Sequence, residues 1–205
     1  RIKKYYKRRS KVIHPPVDTD NFSLKKNKKS YYLTASRLVP YKKIDLVIKA
    51  FNKIKNKSLY VVGNGPQLNN YKKLANNNIN IIGWANNKTL VELMQKSKAL
   101  IFPALEDFGI IPVEAQSCGT PVIAYGKGGS IDTVVKFPNK NCTGILFKKQ
   151  STNEIIKSIN KFEENIMKFD AKECRKNAKK FKKDIFEKKF QNFVAQCVQL
   201  NHDIK

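Results

Sequence analysis

The chain has 205 residues, a formal net charge of +25 and 41% hydrophobic residues, which suits one large or two small globular domains with a sizeable core. No apolar run approaches the roughly 20 residues of a membrane span, and the basic N-terminus "RIKKYYKRRSKVIHPP" lacks the apolar stretch of a secretory leader. Cys118, Cys142, Cys174 and Cys197 form no CxxC pair and the histidines are His14 and His202, so no zinc pattern exists and the cysteines read as free thiols of a reducing, cytoplasmic compartment.

Residues 1–29 read as a basic lead-in. The chain starts without Met and has the look of a fragment or a processed product. The two prolines of "VIHPPVDTDNF" disfavour helix and predict an extended linker or turn, and "LKKNKKS" is polar enough for a loop. From Tyr31 the chain alternates. "SYYLTAS" predicts a strand, and "KKIDLVIKAFNKI" predicts a helix with Ile44, Val47, Ile48 and Phe51 on one face. "SLYVVG" is a strand, and "PQLNNYKKLA" a helix with Pro66 in its first turn. "INIIGW" is a strand, "NKTLVELMQKS" a helix, "KALIFP" a strand. After "EDFGIIPVEAQS", where Pro112 is expected to open a helix, come the strand "TPVIAY", a short helix near "SIDTVV" and the strand "GILF".

Strict alternation implies right-handed βαβ units and an α/β, doubly wound, Rossmann-like parallel sheet, placed at residues 30–170. The strand cores "LYVV", "INII", "ALIF" and "PVIAY" are continuously apolar, as strands buried on both faces should be. Residues 171–205 read as helices. "STNEIIKSINKF", just before them, opens with a capping box of Ser151 and Glu154. "FDAKECRKNAKKF" follows, then "KDIFEKKFQNFVAQCVQL", whose Phe186, Phe190, Phe193, Val194 and Cys197 share a face.

In such sheets ligands bind beyond the C-terminal ends of the strands. Arg37 follows the first predicted strand, and Lys42 stands where the next helix begins, a combination that favours an anion such as a diphosphate. Gly63 and Gly65 follow the second strand, where a ligand's close approach and a plain tight turn explain them equally well. Trp84, the single tryptophan, follows the third strand as a core or rim aromatic, or as a flank for a base. Glu106 falls in the loop after "ALIFP", beside the backbone N–H groups of Phe108, Gly109 and Ile110, and Glu114 falls in the first turn of the helix that follows. Carboxylates accept hydrogen bonds from vicinal hydroxyls, which points to a sugar or a ribose. Cations, glycines and carboxylates at one sheet edge together describe a nucleotide-sugar site.

Three stretches carry a resemblance. "SRLVPYKKIDLVIKAF", "VVGNGP" and "EDFGIIPVEAQSCGTPVIA", the last with an E-x7-E spacing of Glu106 and Glu114, resemble the C-terminal half of family 4 glycosyltransferases. These are retaining enzymes of GT-B architecture, with two facing Rossmann-like domains. The wording of the E-x7-E stretch is similar to bacterial mannosyltransferases that use GDP-mannose. The resemblance covers nearly the whole chain. It implies that Arg37 and Lys42 hold the donor diphosphate and stabilise it as it leaves. Glu106 would contact the transferred sugar with the backbone of Phe108, Gly109 and Ile110, and Glu114 would bond the ribose. "GKGG", with Gly128, would lie near the phosphate or the interdomain cleft. Lys43 stands where many relatives have glycine, which leaves open which of Lys42 and Lys43 points inward; Lys42 is preferred.

The resemblance implies no metal or other cofactor. Its implied partners are a nucleotide-sugar donor (GDP-mannose preferred, a UDP-sugar as alternative), a glycan or lipid-linked acceptor, and an N-terminal Rossmann-like domain that this chain does not include. It also permits peripheral association with the inner face of a membrane. The basic lead-in would approach that missing domain, and the terminal helices would pack back toward it. Two readings compete. A sugar-nucleotide epimerase of the same architecture needs acid and base groups in its cleft, and no histidine stands near a predicted strand end. A nucleic-acid-binding module needs basic and aromatic residues on one face, whereas the lysines here are spread along the chain and no nucleic-acid partner is expected.

Overall fold

The computed structural model describes residues 2–24 and 28–202. In chain order the elements are α1 (Ile2–Tyr6), β1 (Tyr31–Ala35), α2 (Ile44–Lys53), β2 (Ser58–Val62), α3 (Leu68–Leu74), β3 (Ile79–Gly83), α4 (Asn87–Lys96), β4 (Leu100–Phe102), α5 (Ile110–Ser117), β5 (Val122–Tyr125), α6 (Ser130–Thr133), β6 (Gly144–Phe147), α7 (Thr152–Glu164), α8 (Ala171–Ala178) and α9 (Lys183–His202). Six strands form one parallel sheet in the order β3-β2-β1-β4-β5-β6. This is the Rossmann-like, doubly wound architecture that the alternation predicts. Among the described residues no helix is long and apolar enough to cross a membrane.

Side chains of successive strand residues point to opposite faces, and each face has its own core. Tyr32, Leu59, Val61, Ile101, Ile123 and Ile145 pack against Val47, Ile48 and Phe51 of α2 and Ile155, Ile159 and Phe162 of α7. Leu33, Leu100, Phe102, Val122 and Ala124 pack on the other face against Met94 of α4 and Ala115 of α5. Each large side chain so removed from water contributes on the order of 2 kcal/mol. β1, β4 and β5 are buried along their whole length. β3 is not: Asn80 and Ile82 are exposed. The apolar run "INII" suggested burial on both faces, but β3 is the sheet edge, with a neighbour on one side only.

Local signals place most helices within a residue or two. Ser151 caps α7 by accepting from the Glu154 N–H at 3.3 Å, and Asn86 caps α4 by accepting from the Thr89 N–H at 2.9 Å. The prolines differ from expectation. α3 begins at Leu68, two residues beyond Pro66, and α5 begins at Ile110, so Pro112 is its third residue. Pro tolerates any first-turn position because those N–H groups have no partner in the helix.

The segment before β1 and the helices after β6 meet on α5. The Val17 N–H donates to the Phe181 carbonyl at 2.8 Å, and Val17, Val113, Ala178 and Phe181 form a small cluster. Of the predicted loop "LKKNKKS", residues 25–27 lie outside the described residues. Lys28 is tied down, donating to the Gln95 carbonyl at 2.9 Å and the Thr120 hydroxyl at 2.5 Å. On α9, Phe186 and Phe193 are half-buried, whereas Phe190, Val194 and Cys197 are exposed. The stripe is therefore not part of the sheet's core.

One carboxylate fastens α7 to the sheet. Glu163 accepts from the Tyr32 hydroxyl, from Lys98 at 2.9 and 3.0 Å and from Lys57 at 3.2 Å. Burial alone would push its carboxyl up, but the Tyr32 hydroxyl and the two ammoniums hold it below the usual carboxylate range. A depressed folded-state pKa contributes stability above the unfolded value, lost as pH falls through the folded value. Glu163→Gln is expected to lower stability in urea unfolding at pH 7 by ~1–2 kcal/mol. The deficit should start to shrink as pH falls below the ordinary carboxylate range, about pH 4, and vanish once pH is below the lower folded-state value, where Glu163 of the wild type is itself protonated.

Candidate functional site

The order of strands reverses between β1 and β4. The connections leaving these two strands run to opposite sides, and a crevice opens between the loops at their C-terminal ends. A hollow of about 780 Å³ fills it. Arg37 and Lys42 line it from beyond β1, Gly63 from beyond β2 and Trp84 from beyond β3. Glu106, Phe108, Gly109 and Ile110 line it from beyond β4. Its apolar wall includes Val62, Leu90, Phe102 and Ile111. Trp84 is 73% exposed, a rim aromatic.

The loop after β1 explains which lysine turns inward. Buried Leu38 anchors it, and Pro40–Lys42 form a single 3₁₀ turn. Lys43 joins that turn to α2 with φ 58°, the left-handed region. The reversal leaves Lys43 exposed and directs Lys42 across the crevice, where its ammonium pairs with Glu106; the two side chains are 14% and 26% exposed. A left-handed residue is also the place where glycine fits most easily. Arg37 stays exposed at the edge of the hollow.

The glycines beyond β2 admit protein backbone. A Cβ on Gly63 would lie 1.8 Å from the Ser36 carbonyl oxygen, and one on Gly65 2.5 Å from that of Leu38. The loops after β1 and β2 therefore touch main chain to main chain, with the Leu38 N–H donating to the Asn64 carbonyl at 2.9 Å. Gly65 does not line the hollow.

The same device holds the loop after β4. The Gly129 N–H donates to the Glu106 carbonyl at 2.8 Å. A Cβ on Gly128 would stand 2.2 Å from that oxygen, and one on Gly129 2.2 Å from the Phe108 carbonyl. "GKGG" thus grips the backbone of residues 106–108, and Gly128 contributes to the site through that grip, outside the lining. Gly109, with φ 84°, turns this loop into α5. No side chain caps α5, and its first residues, Ile110 and Ile111, line the crevice with Glu106; uncapped first-turn N–H groups favour an anion.

Glu114 stands elsewhere. It lies on the second turn of α5 and lines a neighbouring hollow of about 410 Å³ with Asp18, Asn21 and Asn87. Leu90 lines both hollows. The expectation of two carboxylates around one site is corrected to two carboxylates in adjoining hollows, with the first turn of α5 between them. Burial, reinforced by the charge of Asp18, pushes the Glu114 carboxyl up to about 7. Its Oε2 is buried without a hydrogen-bond partner among the described residues.

Two residues of this region escaped the sequence reading. Asp107 lines the hollow beside Glu106, a third carboxylate hidden inside the motif. His14 stacks on Phe108 with ring centroids 5.4 Å apart and an interplanar angle of 26°, and its neighbour Pro15 lines the hollow. The expectation that no histidine comes near a strand end is therefore corrected. No local spacing links His14 to Phe108; only the fold brings the lead-in to this loop.

The sequence profile of the family described as "Glycosyl transferases group 1" matches residues 17–181. An alpha-1,3/1,6-mannosyltransferase, ALG2, of Kluyveromyces lactis is 24% identical, over 92% of this chain and 49% of its own length. A GDP-mannose-dependent alpha-(1-6)-phosphatidylinositol monomannoside mannosyltransferase of Mycobacterium tuberculosis is 28% identical, over 72% of this chain and 45% of its own. The crystal structure of Anabaena Alr3699/HepE in complex with UDP-glucose has the same fold, with a TM-score of 0.74 at 20% identity over 91% of this chain and 57% of that one. The chain spans about half the length of the curated relatives it matches.

The grip of "GKGG" is open to test. Gly129→Ala puts a methyl against main chain that cannot move aside like a flexible side chain. It is expected to cost ~1–3 kcal/mol of stability by thermal unfolding and to speed amide exchange at residues 106–108.

Proposed function

The chain belongs to the group 1 glycosyl transferases, and on that premise we propose that it is the donor-binding half of a retaining GT-B enzyme. The enzyme moves mannose from GDP-mannose to a glycan or lipid-linked acceptor. The observation that carries this reading is the crevice between β1 and β4, where Lys42, Arg37 and the uncapped end of α5 surround one hollow with Glu106. Mannose and GDP are preferred because two relatives are mannosyltransferases, one of them GDP-mannose-dependent. A UDP-sugar is the competing donor, since the HepE structure holds UDP-glucose.

The chemistry follows from charge. Breaking the sugar–phosphate bond leaves positive character on the anomeric carbon and negative charge on the departing diphosphate. Arg37, Lys42 and the α5 N–H groups are aimed where that negative charge grows. Each well-placed donor of this kind supplies ~3 kcal/mol. The proposal assigns no metal to the step. Lys42, paired with Glu106 in the free protein, would swing to the diphosphate and release Glu106 to accept from sugar hydroxyls. The acceptor oxygen bonds to the anomeric carbon from the face the diphosphate leaves and gives its proton to the departing phosphate oxygen, and Glu106 forms no covalent bond. Glu114 takes the ribose: its buried, unpartnered Oε2 gains the donors it lacks. Trp84 flanks the base at the rim.

The acceptor would be held largely by an N-terminal domain beyond this chain, against which the lead-in and α9 would pack. If the acceptor is lipid-linked, the assembled enzyme works at a membrane surface.

Calorimetric titration with GDP, UDP, ADP and their sugars tests the reading. GDP-mannose is expected to bind most tightly, and tighter binding of a UDP-sugar would overturn the donor assignment. Arg37→Ala and Lys42→Ala are each expected to weaken GDP binding about tenfold, ~1.4 kcal/mol; wild-type affinity in both would sink the phosphate assignment. The 205-residue chain alone is expected to bind nucleotide without transferring sugar, and sugar transfer by it would contradict the placement of the acceptor.

Glu114 adds a pH signature. An ionised carboxylate is the better acceptor for ribose hydroxyls, and the carboxyl titrates at about 7. GDP-mannose, whose phosphates do not titrate near neutrality, should therefore bind more weakly as pH falls from 8 to 6. Glu114→Gln should flatten that dependence while weakening binding at pH 8.

A further inference from the structure

His14 lies outside the roles assigned above, yet its ring sits where the chain enters the domain. It stacks on Phe108 at 5.4 Å and meets Phe181 edge-on at 5.7 Å. Phe108 meets the same Phe181 edge-on at 5.4 Å and packs on the cluster of Val17, Val113, Ala178 and Phe181. The Phe108 side chain is thus seated in a nest built by two segments from opposite ends of the chain. These segments are joined by the Val17–Phe181 backbone hydrogen bond of 2.8 Å. On the far side of the imidazole, Nε2 stands 3.9 Å from Asp132 Oδ2, too far for a hydrogen bond.

Phe108 cannot move alone. Its carbonyl lies against Gly129, and the Glu106 carbonyl accepts from the same glycine. Residues 106–108 are therefore fixed by "GKGG" on the main-chain side and by the aromatic nest on the side-chain side. Aromatic rings in stacked and edge-on contact hold one another in orientation as well as excluding water. Removing the imidazole would free one face of Phe108 and leave its edge-on contact with Phe181, the cluster beneath it and the grip of the glycines as the remaining restraints.

We infer that His14 is a positioning residue for donor recognition: its ring holds Phe108, and through Phe108 the Glu106–Ile110 loop, in the geometry that contacts the sugar of a nucleotide-sugar. This rests on the proposed donor site. It predicts a division of labour. The diphosphate is held chiefly by Arg37 and Lys42, whose placement depends on the loop after β1. The sugar is held by the loop that His14 supports. His14 therefore governs the affinity gained from the sugar and leaves the affinity for the bare diphosphate unchanged. Because His14 precedes Pro15 and Pro16 on the lead-in, any displacement of that segment is passed to the sugar end of the site.

The test compares GDP and GDP-mannose binding by calorimetry in wild type, His14→Ala and His14→Phe, together with amide hydrogen exchange at residues 106–110 in the free proteins. In His14→Ala, GDP is expected to bind within twofold of wild type, GDP-mannose about tenfold more weakly, and the loop amides to exchange at least tenfold faster. His14→Phe, which keeps an aromatic ring and loses the ring nitrogens, is expected to restore both. Unchanged GDP-mannose affinity in His14→Ala would overturn the inference. So would equal weakening of both ligands with a fall in Tm, which marks general destabilisation. Failure of His14→Phe to rescue would remove the stack as the cause. If wild type binds neither ligand, the proposed donor site fails, and unaltered loop exchange in His14→Ala would separately refute the positioning role.

Discussion

A parallel sheet that grows outward in both directions from its centre has one place where neighbouring strands send their connections apart. Here that place lies between β1 and β4, and everything chemical in the molecule is built on it. The crevice exists whatever residues line it, because the connections of β1 and β4 cover opposite faces of the sheet. The lining follows from short reach: Arg37 and Lys42 lie two and seven residues past the end of β1, and Glu106 stands four residues past the end of β4. Neither loop is long enough to place its charged groups elsewhere.

Within that crevice the loops are set by contacts between main chains. Gly63 and Gly65 let the loop after β2 lie on the loop after β1, and Gly128 and Gly129 let "GKGG" lie on residues 106–108. A side chain at any of these positions would drive two backbones apart by more than a rotamer change can absorb. The glycine-rich stretches thus shape the site from behind, as supports for the segments that carry the charges.

The charges themselves fall into two contrasting settings. Lys42 and Glu106 are both largely withdrawn from water and satisfy one another. A shielded ion pair has little net worth, because desolvation offsets its attraction. Exchanging Glu106 for a more highly charged anion at Lys42 therefore meets a small barrier. Among the described residues no cation forms an ion pair with Glu114. Asp18 is its charged neighbour, one carboxyl oxygen is unpartnered, and its pKa rises to about 7. Two glutamates eight positions apart in one motif thus stand in contrasting surroundings, one paired with a cation and one beside another carboxylate.

The sequence alone carried the alternation of elements, the Rossmann-like sheet, the amphipathic face of α2, the cap of α7, and the strand ends at which Arg37, Lys42 and Glu106 would appear. Each is a local property, set by side-chain period, turn residues and capping groups within a few positions of one another. It misjudged β3, whose apolar run meant a buried strand until the strand order made it an edge. It left Gly63 open between ligand contact and plain turn, and it set Glu114 in the same hollow as Glu106. It named His14 only to exclude a zinc pattern and gave it no place near the site. Only the tertiary structure chose Lys42 over Lys43, put the first turn of α5 between the two glutamates, and laid the lead-in against Phe108. These are relations between segments distant in sequence, fixed by strand order and by the packing of rings and backbones, and no local pattern of residue types encodes such distances.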